Sequence, residues 1–183
     1  MGDTVDFGSR WYFLFLNVLL VARGMDLLST WLATPHLALE ANPIARRLGW
    51  KWGLPANLAL CAVCASWPLP AVIISTTSVL VAARNFQGVW LMRTMGEEAY
   101  RQWMVERVHE TPPVLYLGCL LAQVGLFAAV GGALVLFSRD PTGEDWAAFG
   151  IGVGILAYAL AVLVFSLISV WRMRRNSRSM SPD

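Results

Sequence analysis

The stretch WYFLFLNVLLVARGMDLLSTWLA, residues 11–33, decides the fold. A helix needs about 20 apolar residues to cross the hydrocarbon core of a bilayer. This run is long enough, and its only charged residues are Arg23 and Asp26. Runs at 114–137 and 146–171 meet the same requirement. The whole chain agrees with them: 57% of its 183 residues are hydrophobic and 14% charged, against roughly 45–50% and about 25% in soluble domains. A soluble globule, a disordered chain and a disulfide scaffold are thereby excluded. The formal charge of +2 is spread along the chain, so nucleic acid is not an expected partner.

A fourth run, 55–83, contains Pro68 and Pro70. A proline inside a helix removes a hydrogen bond and kinks it. The reading is one kinked crossing, with a re-entrant pair of half-helices as the alternative. Polar or wet surroundings must satisfy the backbone groups of any such break. The expected fold class is therefore all-α: a polytopic membrane protein with four transmembrane helices in a single membrane domain, 1–183, ending in a basic tail, 172–183.

Four crossings put both termini and the segment 84–113 on one side. That side holds nine basic residues, against four (Arg46, Arg47, Lys51 and Arg139) on the other. The excess predicts cytoplasmic termini. Within 84–113, Tyr100, Trp103, Met104 and Val108 fall on one helical face, and Phe86, Val89 and Trp90 fall on another. Two interfacial amphipathic helices, about 85–95 and 97–109, are expected, with Gly96 between them and Glu97 paired to Arg101.

Polar residues inside the first run carry the functional signal. At roughly 100° per residue, Arg23, Ser29 and Thr30 lie within about 60° of Asp26, and Asn17 points away. Ionisable groups at membrane depth cost a few kcal/mol and face a bundle interior or cavity. Three roles fit: a structural Arg23–Asp26 pair, a ligand or ion site around Asp26, or an Arg23 that snorkels to the interface. Beyond the run, Asn42-Pro43 is a helix start, with Asn at the cap and Pro at the first helical position. Glu40 precedes it and either satisfies that helix dipole or joins Asp26 in a ligand site. Arg46, Arg47 and Lys51 follow, suited to an anionic headgroup.

The pattern Asp26-x-x-Ser29-Thr30, Glu40-x-Asn42-Pro43, then Asn57 and Asn85 resembles an uncharacterised family of small prokaryotic membrane proteins, a domain of unknown function with a D-x-x-[ST]-T…E-x-N-P signature. The resemblance covers about residues 11–85. It implies a bacterial or archaeal cytoplasmic membrane and a joint role for Asp26, Thr30, Glu40 and Asn42, and it implies no established activity.

Other motifs are weaker. Cys61-x-x-Cys64 resembles the active pair of vitamin K epoxide reductase-type enzymes, but the only further cysteine is Cys119, so core packing is the reading. His36 and Glu40 share a metal-ligand spacing, yet no H-E-x-x-H is present and no metal site is expected. Gly150-x-x-x-Gly154 and the glycines of 114–137 allow close helix approach, either within the bundle or to a second copy. The expected function is a non-enzymatic membrane protein that binds an ion or polar headgroup at the Asp26/Glu40 cluster, or serves as a complex subunit. The alternatives are an intramembrane enzyme using Asp26/Glu40 as acid and base on a lipid or isoprenoid-like substrate, and a thiol oxidoreductase. The bilayer is the expected partner, beside other subunits or a homo-oligomer, and no cofactor is implied.

Overall fold

The computed structural model describes residues 4–37, 40, 42–138 and 145–178, with backbone alone for 176–178. Arg139 and the end of the basic tail, 179–183, lie outside the described residues. Six helices and no strand occur among them: α1 (Arg10–Ala33), α2 (Pro43–Cys64), α3 (Pro68–Met95), α4 (Glu97–Glu110), α5 (Pro113–Phe137) and α6 (Trp146–Arg178). Four of these, α1, α3, α5 and α6, are long and apolar enough to cross a membrane.

The central seam joins α1 to α3. On α1 the inward positions are Tyr12, Phe15, Leu19, Ala22, Asp26, Ser29 and Ala33, spaced alternately by three and four residues. All are buried except Asp26, which is half-buried. On α3 the same spacing gives Pro68, Ala71, Ser75, Ser78, Ala82 and Asn85, and all but Asn85 are buried. Alternating three and four keeps one stripe of each helix on its neighbour. Small residues on α3 let the backbones approach, as membrane helices require in the absence of a hydrophobic drive. Phe15 and Leu19 of α1 cluster with Ala71 of α3 and with Cys61 and Ala65.

The run 55–83 differs from its expected form. Residues 65–67 make a tight turn, closed by Ser66 N donating to Val63 O and Trp67 N to Cys64 O. That turn divides the run between α2 and α3. Pro68 and Pro70 fall in the first turn of α3, where backbone N–H groups have no intrahelical acceptor. They therefore begin a helix and do not kink one. The distortion in α2 lies elsewhere, at Gly49, whose φ of 61° only glycine adopts freely. Residues 85–95 likewise form no separate interfacial helix. They complete the 28 residues of α3, which ends at Gly96, with φ 80°. The face expected on α4 is graded: Val108 is buried, Tyr100 and Met104 are half-buried, and Trp103 is exposed.

The direction of the helices alters the sidedness. Along α1, Arg23 meets Ser78, Ser29 meets Asn85, and Thr34 meets Glu97 just past α3. Numbers rise together, so α1 and α3 run in parallel. The chain returns between them through α2: Trp50 Nε1 donates to Pro35 O, and Tyr12 Oη donates to Ala62 O. Val5 N donates to Ser66 O at one end. At the other end Arg174 Nη2 donates to Val108 O at 3.3 Å and Thr111 O at 3.4 Å. Val5 and Arg174 therefore lie at opposite ends of the bundle, where the expected arrangement would bring them to the same end.

The helix α6 packs on α3 and α5. A Cβ on Gly154 would meet Thr76 Cβ at 2.7 Å and Ile73 O at 2.9 Å, and one on Gly150 would meet Val72 Cγ1 at 3.0 Å. Both glycines thus face α3. Gly152 faces α5, where its Cβ would meet Gly131 O at 2.8 Å. Thr77 Oγ1 donates to Gly154 O at 3.0 Å across the same contact. Gly118 and Gly125 have nothing within 4 Å of a built Cβ. Gly154→Ala is expected to overpack this seam and cost about 1–3 kcal/mol, whereas Gly125→Ala costs nothing. The gain in helix propensity is common to both variants, so the gap between their melting midpoints in detergent reads packing alone. Equal midpoints would refute the close approach.

Candidate functional site

Asp26 occupies a core position of the α1 stripe, about 10 Å before the end of the helix at 1.5 Å per residue. A carboxylate placed there needs a cation and hydrogen-bond donors. Arg23, one turn earlier on α1, supplies both. Its Nη1 donates to Asp26 Oδ2 at 2.7 Å and to Ser78 Oγ of α3 at 3.1 Å. Its Nε donates to Asn57 Oδ1 of α2 at 2.9 Å, and Nη2 donates to the same oxygen. One guanidinium thus ties three helices together. Its side chain is 24% exposed and that of Asp26 15%, so neither snorkels free of the assembly.

A second tier lies one turn further on. Ser29 Oγ donates to Asp26 O at 2.8 Å. Asn85 Nδ2 of α3 donates to Ser29 Oγ at 3.1 Å and Thr30 Oγ1 at 3.3 Å. The polar groups of α1 therefore line the α1–α3 seam continuously from Arg23 to Thr30. Asn17 stands outside this seam, exposed, with Nδ2 donating to Phe13 O of its own helix.

Glu40 lies in the connection after α1. Its Oε1 accepts from Asn42 N at 2.7 Å, and its own backbone N donates to Leu37 O at 3.3 Å. Asn42 caps α2, its Oδ1 accepting from Ile44 N at 2.9 Å, with Pro43 in the first turn. The Asn42 side chain is thus committed to the cap, and Thr30 to Asn85.

The expected basic trio separates. Arg46 lines a cleft of about 680 Å³ with Pro35, His36, Leu37, Gly49, Trp50, Glu98 and Arg101. Lys51 Nζ lies 5.8 Å from the ring centroid of Trp52, and Arg47 is exposed.

The Glu97–Arg101 pairing does not form. Arg101 Nε lies 3.4 Å from Glu98 Oε2. Glu97 instead accepts from Thr34 Oγ1 at 2.9 Å, from His36 N at 3.0 Å, and lies 3.2 Å from His36 Nδ1. His36 is engaged by Glu97 and not by Glu40. No cluster of three or more His, Cys, Asp or Glu suited to a metal occurs among the described residues. Cys61 is buried, Cys64 half-buried and Cys119 exposed on α5, a helix that does not pack on α2.

Sequence reasoning passes over Ser78 and reads Glu97 only as the partner of Arg101. Ser78 carried a signal, the three-and-four spacing of small residues along α3. Glu97 carried none, because its partners are more than sixty residues away. Comparison of the chain with known families, with characterised proteins and with solved structures finds no match.

Removing Arg23 leaves the half-buried Asp26 without its cation, a loss of up to about 3–5 kcal/mol. Arg23→Ala is therefore expected to destabilise strongly. The double variant Arg23→Ala/Asp26→Ala is expected to recover part of the loss, read by reversible unfolding in detergent. Strictly additive effects would show that the pair does not act as one unit.

Proposed function

We propose that this protein is a small, non-enzymatic integral membrane protein that holds a monovalent cation against the Asp26/Glu40 cluster. The observation that carries the reading is the local charge balance. Asp26 is paired with Arg23, whose donors are already divided among Asp26, Asn57 and Ser78, while Glu40 accepts from Asn42 N and has no cation beside it among the described residues. One negative charge is left over near the end of a membrane-crossing helix, where uncompensated charge is costly. The oxygens nearby belong to carboxylates, hydroxyls and backbone, the donor set of hard cations. Such a cation supplies the missing charge without disturbing the Arg23 bonds. Asp26, Thr30, Glu40 and Asn42, the residues of the D-x-x-[ST]-T…E-x-N-P pattern, then divide the work: the acids hold charge, and Thr30 and Asn42 fix the backbone that presents them.

Cation binding raises the melting midpoint of a folded protein by about 2–4 °C for each kcal/mol of ligand free energy. Purified protein is expected to melt higher in sodium or potassium chloride than in N-methylglucamine chloride of equal ionic strength. Glu40→Gln is expected to abolish the difference while keeping the fold. A midpoint indifferent to the cation in the unaltered protein would end this reading.

The same reading includes an orientation. Arg46, Arg47, Lys51, Arg84, Arg93, Arg101, Arg107, Arg172, Arg174 and Arg175 lie toward the end that carries α4, ten residues against Arg10 alone at the other among those described. The positive-inside bias assigns the α4 end to the cytoplasm. Together with α2 as a short fifth crossing, this leaves the N-terminus outside and the C-terminus inside. In a background with the native cysteines replaced by serine, Thr4→Cys is expected to react with an impermeant maleimide on intact cells. Gln102→Cys is expected to react only after permeabilisation. Labelling of both positions from the same side would overturn the arrangement.

A further inference from the structure

The cleft at the α4 end is lined by none of the residues of the Asp26/Glu40 cluster, and three elements wall it: the turn after α1, the start of α2 and the start of α4. The walls are braced to one another before any ligand arrives. Trp50 Nε1 donates to Pro35 O at 2.8 Å, joining α2 to the turn. Glu97 joins the turn to α4 through Thr34 and His36. Binding at a braced cleft orders little further chain, so little of the binding energy is lost to conformational entropy.

Its charges have both signs. The Arg46 guanidinium has no partner among the described residues. Arg101 is held 3.4 Å from Glu98, and Glu98 Oε1 also accepts from Gln102 Nε2 at 3.2 Å. Two guanidiniums from different helices suit a phosphate, whose oxygens accept paired N–H bonds in plane. Glu98 on the same wall opposes a simple anion and offers an acceptor to a primary amine. Trp50 supplies an amphipathic ring of the kind that settles at headgroup level. We propose that this cleft binds a phosphoethanolamine group, a phosphoester linked to a protonated amine. Arg46 and Arg101 would take the phosphate and Glu98 the ammonium. The group could come from a membrane lipid headgroup or from a soluble phosphoethanolamine ester.

The test is native mass spectrometry of the full chain, offered equal amounts of phosphatidylethanolamine, phosphatidylglycerol and phosphatidylcholine in detergent. Ethanolamine lipid is expected to be retained over the other two. Arg46→Gln is expected to lower that retention about tenfold, the size of one charge-assisted hydrogen bond, while Arg10→Gln at the far end leaves it unchanged. Glu98→Gln is expected to reverse the preference toward phosphatidylglycerol, a gain that a misfolded variant does not produce. Glycerophosphoethanolamine is then added as competitor: displacement of the lipid assigns the site to soluble esters as well, and resistance assigns it to the bilayer lipid. Equal retention of all three lipids, a preference for phosphatidylglycerol in the unaltered protein, or indifference to Arg46→Gln would each overturn the assignment.

Discussion

The parallel seam between α1 and α3 obliges the chain to travel the length of the assembly twice before α3 begins. Parallel neighbours cannot be joined by a tight turn, so the segment between them has to return through a third element. That element is α2, bent at Gly49 and closed at its far end by the turn at 65–67. The seam also determines where polar groups can sit. Its inward positions are small along most of α3 and large on α1 only as far as Leu19, and beyond them the Arg23 side chain reaches across to Ser78 and Asn57.

A guanidinium is well matched to this place. It stays charged at any accessible pH, and its planar set of donors can serve several acceptors at once. An ammonium in the same position would present a single compact charge and could not span from α3 to α2 in one plane. The seam is therefore held by geometry as much as by charge. Hydrogen bonds between membrane helices average only about 0.6 kcal/mol each, so it is the convergence of several bonds on one side chain that matters.

Much of the architecture was legible because hydropathy and length are strong signals in a bilayer. Three runs, 11–33, 114–137 and 146–171, correspond closely to α1, α5 and to most of α6. The grouping of Arg23, Asp26, Ser29 and Thr30 on one face of α1 follows from helical periodicity, and the Asn42 cap from local chemistry. The path of 55–83 was not legible in the same way. Prolines near the middle of an apolar run read equally as a kink or as a helix start, and only the tight turn at 65–67 decides between them. Glu97 misled for a related reason. Its local partner on the helix, Arg101, was plain in the sequence, while the turn at Thr34 and His36 that it holds is distant in sequence and adjacent only in space.

The extensive helix contacts follow a line, α1 on α3, α3 on α6 and α6 on α5, with α2 touching α1 and α3 more lightly. No contact of similar extent joins α5 back to α2 among the described residues. Helices arranged as an open row, unlike those closed in a ring, enclose no lumen along a central axis. Any polar route from one end to the other must then run within a seam between two neighbours, at the width of a side chain, and the seam between α1 and α3 holds the ion pair of Arg23 and Asp26 part-way along it.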